Sequence, residues 1–219
     1  MCDPIDDPEF YLRAAREMGL KLRYVFDTHV HADHLSGGRR LAERAGADYV
    51  LHERAGARYG YQAVREGDNL GLGNVEVRVL HTPGHTPEHV SLLVTDKTRG
   101  PEPWFVLSGH TLMVGDMGRT ELASDPQEGA SALFESAQKL KALPDYVEVL
   151  PGAFSGSVCG RSLSSKPIST IGFERKFNRA LQIDDRETFI RFMLEHVPPR
   201  PPHAEEIRAA NLGLGGGEL

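Results

Sequence analysis

Four side chains able to bind a metal fall within six residues of this chain: His29, His31, Asp33 and His34, in Asp27-Thr28-His29-Val30-His31-Ala32-Asp33-His34. The preceding run, Leu22-Arg23-Tyr24-Val25-Phe26, reads as a strand, so the cluster sits on the loop at that strand's C-terminal end. Neutral imidazole and carboxylate suit zinc, iron or manganese, and a metal held at loop ends keeps coordination positions open to substrate. The competing reading is a polar loop whose histidines only cap the strand. The density of ligands argues against it. Ser36 then caps a helix that runs through Arg44 and is ended by Gly46, and Asp48 to His52 makes the next strand. The local order is β, ligand-rich loop, α, β.

A second strand also ends in histidines. Val75, Val77 and Val79 alternate with Glu76, Arg78 and Leu80 before His81-Thr82-Pro83-Gly84-His85-Thr86-Pro87. His89 to Thr95 and Trp104 to Leu107 read as further strands, the latter leading to Ser108-Gly109-His110. A helix from Pro126 to Leu143 and a strand from Tyr146 to Leu150 follow, ending at Pro151-Gly152-Ala153. Four strands thus end at loops that can converge. Upstream, Asp7-Pro8 opens a helix that Gly19 closes, with Leu12, Ala15 and Met18 on its apolar face. Downstream, helices are expected over Phe173–Leu181 and Asp185–His196, then an extended linker, Val197 to Pro202, and a glycine-rich end, Gly213 to Gly217. The expected organisation is one domain over residues 1–197 and a Pro/Gly-rich tail over 198–219.

Composition narrows the function classes. Lys plus Arg total 25 against 31 Asp plus Glu, a formal charge of −6, so no basic surplus exists to neutralise a phosphate backbone. Nucleic acid is not the expected partner. No apolar run reaches the roughly 18 residues of a membrane span, and Met1 is followed by Cys2, Asp3 and Pro4 rather than a basic leader. Cys2 and Cys159 are too few for a disulfide framework or a thiolate zinc site. A soluble, cytoplasmic protein is the expectation.

Thr28-His29-Val30-His31-Ala32-Asp33-His34, with His81-Thr82-Pro83-Gly84-His85-Thr86 some fifty residues later, resembles the metallo-β-lactamase superfamily. The resemblance implies an α/β fold, an αββα sandwich of two mixed sheets flanked by helices, with metal at one edge. It places His29, His31 and His85 at one metal site and Asp33 and His34 at its neighbour, with Asp33 and His31 as candidate catalytic groups. Leu107-Ser108-Gly109-His110 through Gly118-Arg119-Thr120-Glu121-Leu122 is similar to the persulfide dioxygenase and glyoxalase II branch. Thr86-Pro87-Glu88-His89, Gly156-Ser157-Val158-Cys159-Gly160-Arg161 and Ser169-Thr170-Ile171-Gly172-Phe173-Glu174-Arg175 resemble the persulfide dioxygenases fused to a rhodanese domain. No rhodanese domain follows within these residues.

By that likeness one Fe(II) per chain is held by His29, His85 and position 110, where the family has aspartate and this chain has His110. The expected substrates are a low-molecular-weight persulfide, such as glutathione persulfide, and O2, giving sulfite. Arg119 is the candidate to bind a substrate carboxylate; a surface salt bridge is its other reading. Many relatives carry histidine where this chain has Ala153, so a second metal site lacks a ligand. That weighs against the alternative activity, a Zn(II)-dependent thioester hydrolase of the glyoxalase II type. A degenerate, non-catalytic metal-binding relative is the third reading. Relatives also have a strand hairpin before the position of Asp3-Pro4, so the opening of the fold is expected to be missing, which favours self-association as a homo-oligomer. Cys159 invites a thiol role, but a small buried apolar residue is the favoured reading.

Overall fold

Each sheet is built within one of two units of the computed structural model, Met1–Val64 with Pro201–Leu219, and Arg65–Arg200. The structure describes residues 1–157, 159–161, 163–195, 197 and 199–214. His196 and Pro198, expected to end a helix and stiffen a linker, lie outside the described residues, as do Val158, Ser162 and the glycine-rich stretch from 215 onward.

In the first unit, Asp7 caps helix α1 (Pro8–Glu17) by accepting from the Phe10 amide at 3.2 Å, with Pro8 at the first helical position. Met18, expected on the apolar face, lies just beyond the last helical residue and is 66% exposed. Strand β1 (Tyr24–Phe26) is followed by α2 (Gly38–Ala45), β2 (Asp48–His52) and β3 (Gln62–Val64). β1 pairs with β2 and β2 with β3, both in parallel, with Tyr24 opposite Asp48 and Val50 opposite Gln62. Parallel neighbours need a crossover, and α2 supplies it between β1 and β2. Leu41 and Ala42 of α2 are buried in one core with Val25, Tyr49 and Leu51. The helix starts later than expected, at Gly38, and the Ser36 hydroxyl accepts from the Gly38 amide at 2.9 Å. Met1 to Asp3 run along β1, with the Asp3 amide donating to Phe26 O at 2.8 Å.

The second unit holds β4 (Asn69–Leu72), β5 (Val75–His81), β6 (Val90–Asp96), β7 (Phe105–Gly109), the hairpin β8 (Leu112–Met113) and β9 (Asp116–Met117), then α3 (Pro126–Lys141), β10 (Glu148–Pro151), β11 (Ser169–Thr170), α4 (Ile171–Phe177) and α5 (Arg186–Glu195). Helix α6 (Ala204–Asn211) belongs to the first unit, in the stretch expected to be a tail. The six-stranded sheet has the order β11-β10-β7-β6-β5-β4. β5 and β7 are each antiparallel to β6, and β10 is parallel to β7. Three strands therefore run the same way, and His81, Gly109 and Pro151 all end at one sheet edge. Leu133 and Leu140 of α3, Phe189 of α5, Val106 and Val149 are fully buried in the core of this unit. Both units are mixed α/β, in agreement with the expected fold class. Among the described residues no helix is long and apolar enough to cross a membrane.

Gly84 shows why the His81–Pro87 turn has its sequence. Its φ is +138°, and a Cβ there would lie 2.5 Å from Leu133 Cβ and 2.6 Å from Leu133 Cα. Only glycine lets the turn press against α3. Gly84→Ala is therefore expected to destabilise the protein by about 2–4 kcal/mol, through backbone strain and overpacking together, read as a lowered urea midpoint.

Candidate metal centre

In the first unit, the loop after β1 holds its histidines through Asp3. The Asp3 carboxylate accepts from the Thr28 amide at 2.7 Å, the Thr28 hydroxyl at 2.9 Å and His31 Nε2 at 3.1 Å. Burial raises the Asp3 pKa, but the His31 hydrogen bond and charge outweigh it and bring the carboxyl down to about 2. Thr28 has one hydroxyl proton, and it goes to this acceptor-only carboxylate. The 2.9 Å contact between Thr28 Oγ1 and His29 Nδ1 is then donated by His29, which puts the lone pair of that ring on Nε2.

His31 lies between two carboxylates, with Nδ1 3.5 Å from Asp33 Oδ1. Burial disfavours its charge, yet Asp3 and Asp33 override burial and push His31 up to about 10. Ligand atoms of His29, His31 and Asp33 all lie within 4.8 Å of one another. Beside them, His34 Nδ1 stands 3.2 Å from Asp33 Oδ1, while its Nε2 is buried without a hydrogen-bond partner. A buried imidazole nitrogen left in that state is what a metal would satisfy. The donor set is nitrogen and carboxylate oxygen, which fits zinc or iron.

In the second unit, His85 and His110 come from two of the turns at the shared sheet edge. His85 Nδ1 donates to Arg119 O at 2.8 Å, leaving its lone pair on Nε2, which is 3.2 Å from His110 Nδ1. Two imidazoles bound to one metal at about 2.0–2.1 Å have their nitrogens at close to this separation. Gly118 makes the approach feasible, because a Cβ there would lie 2.2 Å from His110 O and 3.2 Å from His85 Nδ1. Gly152 packs similarly close, 3.1 Å from His110 Cδ2 as measured from an added Cβ, and its amide donates to Gly109 O at 2.8 Å.

His89 is a positioning residue that its motif did not mark as such. It is fully buried, and its Nε2 accepts from the His110 amide at 3.0 Å, so the proton sits on Nδ1. That nitrogen faces the hydroxyls of Thr111 at 2.9 Å and Thr82 at 3.1 Å. A histidine eight residues after a strand end carries no periodic signal for this role. Asp3 was equally silent, since only folding brings it 28 positions along the chain to His31.

The Arg119 guanidinium side chain is 2% exposed, pairs with Glu121 and donates to Pro199 O at 3.1 Å. The backbone carbonyl of Arg119 is also part of the site, as the acceptor for His85 Nδ1. Cys159 is 1% exposed, in keeping with the apolar reading. Ala153 is buried beside Gly152 and offers no ligand.

The family model of the metallo-beta-lactamase superfamily matches residues 2–152. The chain belongs to this superfamily. Among its relatives, a mitochondrial persulfide dioxygenase ETHE1 from Mus musculus is 29% identical over 203 residues, covering 91% of this chain and 72% of that protein. A hydroxyacylglutathione hydrolase from Polaromonas sp. is also 29% identical, over 235 residues, covering 94% of this chain and 85% of the hydrolase. Among solved structures, a metallo-beta-lactamase from Staphylococcus aureus superposes with a TM-score of 0.90 at 35% identity over 96% of this chain, which spans 64% of that protein's length. ETHE1 from Myxococcus xanthus gives a TM-score of 0.81 at 31% identity, covering 98% of this chain and 88% of that one. The superfamily thus contains both an oxygenase and a hydrolase at equal distance in sequence.

Within this superfamily member, the His89 contacts predict a graded effect. His89→Ala leaves the buried His110 amide without its acceptor, and is expected to cost about 1–3 kcal/mol in apo stability. Metal affinity, measured by chelator competition, should fall as well, because His110 loses the anchor of its main chain.

Proposed function

We propose that the chain is a persulfide dioxygenase-type oxidoreductase that holds one Fe(II) through His29, His85 and His110. The observation that carries this reading is the tautomer control at two of these residues: Thr28 and the Arg119 carbonyl each take an Nδ1 proton and turn Nε2 into the donor nitrogen. Support also comes from the likeness of Leu107–Leu122 to the dioxygenase branch and from the ETHE1 relatives.

Bound iron supplies open positions for a sulfur and for O2. The overall conversion breaks the sulfur–sulfur bond of a glutathione-type persulfide. The outer sulfur is oxidised to sulfite, O2 is the four-electron oxidant, water gives the third oxygen, and the thiol leaves. The chain's own residues orient and neutralise. Asp3 keeps Thr28 and His31 in place, and cationic His31 adds positive charge for a small anionic thiol.

A zinc thioester hydrolase is the second reading, favoured by one observation: Asp33 and His34 remain together, and His34 Nε2 is buried without a hydrogen-bond partner. Against it, position 110 carries no bridging carboxylate, and position 153 carries no histidine. A two-metal site that generates hydroxide depends on both.

Anaerobic reconstitution is expected to load about one Fe(II) per chain and to give O2 uptake with glutathione persulfide. Iron binding without O2 uptake overturns the dioxygenase reading. Release of glutathione from S-lactoylglutathione by the zinc form, lost in His31→Ala, would establish the hydrolase instead. His110→Asp is a further check: an activity gain of tens-fold would identify the imidazole at 110 as limiting and point to a degenerate relative.

A further inference from the structure

Side chains of α6 hold the main chain of the loop that carries His29, His31, Asp33 and His34. Asn211 Nδ2 donates to His31 O and to His34 O, each at 2.9 Å, while Asn211 Oδ1 accepts from the Ser36 amide at 2.9 Å. One turn earlier, Arg208 Nη1 donates to Val30 O at 2.8 Å. Asn211 is itself fixed from β3's side of the unit, because the Tyr59 hydroxyl donates to its main-chain oxygen at 2.5 Å. These contacts join residues 152 to 180 positions apart, all within the first unit.

We propose that Asn211 is a positioning residue for the metal ligands of the 29–34 loop, and that α6 thereby sets the metal affinity of the protein. The chemistry requires a primary amide. Two donors meet two carbonyls, one acceptor meets an amide, and aspartate of the same shape would turn a lone pair toward His31 O and His34 O. The carbonyls held belong to His31 and His34, which follow the proposed ligand His29 in the same loop, so moving Asn211 shifts the turn from which His29 projects. Partners of this kind typically contribute about 10- to 100-fold in metal affinity. The inference rests on the loop being a metal site, as proposed above.

The test uses the full chain with Co(II) as probe, in chelator competition, beside thermal unfolding of the apo forms. Asn211→Ala and Asn211→Asp are expected to weaken Co(II) binding about tenfold or more. Tyr59→Phe, which leaves the three side-chain bonds in place, should lower the apo melting temperature with little change in Co(II) affinity. An Asn211→Asp variant that melts lower yet binds Co(II) like the natural chain overturns the proposal, since a merely structural residue behaves that way. Hydrogen exchange on the natural chain covers the case of unfolded variants. By reciprocity of linkage, Co(II) should slow amide exchange in 204–211 together with 27–36. Protection of the loop alone contradicts the proposal. If the natural chain takes up no Co(II), the metal-site reading itself fails, a result distinct from equal binding by variant and natural chain.

Discussion

A turn that carries metal ligands leaves strand pairing behind, and its amides and carbonyls then need partners that no ladder provides. Most of this protein's distinctive contacts answer that need. Asp3 takes the Thr28 amide, Arg208 and Asn211 take the carbonyls of residues 30, 31 and 34, and His89 takes the His110 amide. Gly109 O takes the Gly152 amide in the same way. Once the main chain is fixed, each imidazole needs only one further bond to select its tautomer. Thr28 provides it for His29 and the Arg119 carbonyl for His85.

Charge is distributed unevenly over the ligand turns. Asp3, Asp27 and Asp33 surround His31 in the first unit, whereas His85 and His110 face each other as imidazoles in the second. Asp27 is 2% exposed and burial raises its pKa; its Oδ2 accepts from Ser36 at 2.5 Å and from Tyr49 at 2.6 Å, which partly offsets that cost. Three neutral imidazoles would leave the charge of the proposed iron less compensated than a set including carboxylate does. Such a ligand set would favour Fe(II) over Fe(III) and would supply positive charge for an anionic sulfur.

The ligand turns were legible in the sequence because each follows a strand with a clear period-2 or apolar pattern and ends in Gly, Pro and His. Strands β5, β6, β7 and β10 lie within a few residues of their expected bounds for that reason. The short strands β3, β4, β8, β9 and β11 have two to four residues each, too few to show a period. Helix α6 was hidden by its flanks, since prolines precede it and glycines follow, and its start at His203 uses a left-handed residue without a side-chain cap. The roles of Asp3, His89, Asn211 and Arg119 depend on contacts across 21 to 180 positions, which local patterns do not encode. The Arg119 guanidinium pairs with Glu121, two residues on, a contact that a sequence pattern alone does not single out.

X-ray absorption on the iron-loaded protein bears most directly on the proposed three-histidine iron. A three-histidine iron gives a first shell of nitrogen and oxygen only, with imidazole scattering from three rings and no metal–metal distance. A sulfur ligand in the protein without substrate, or a second metal near the first, would contradict it.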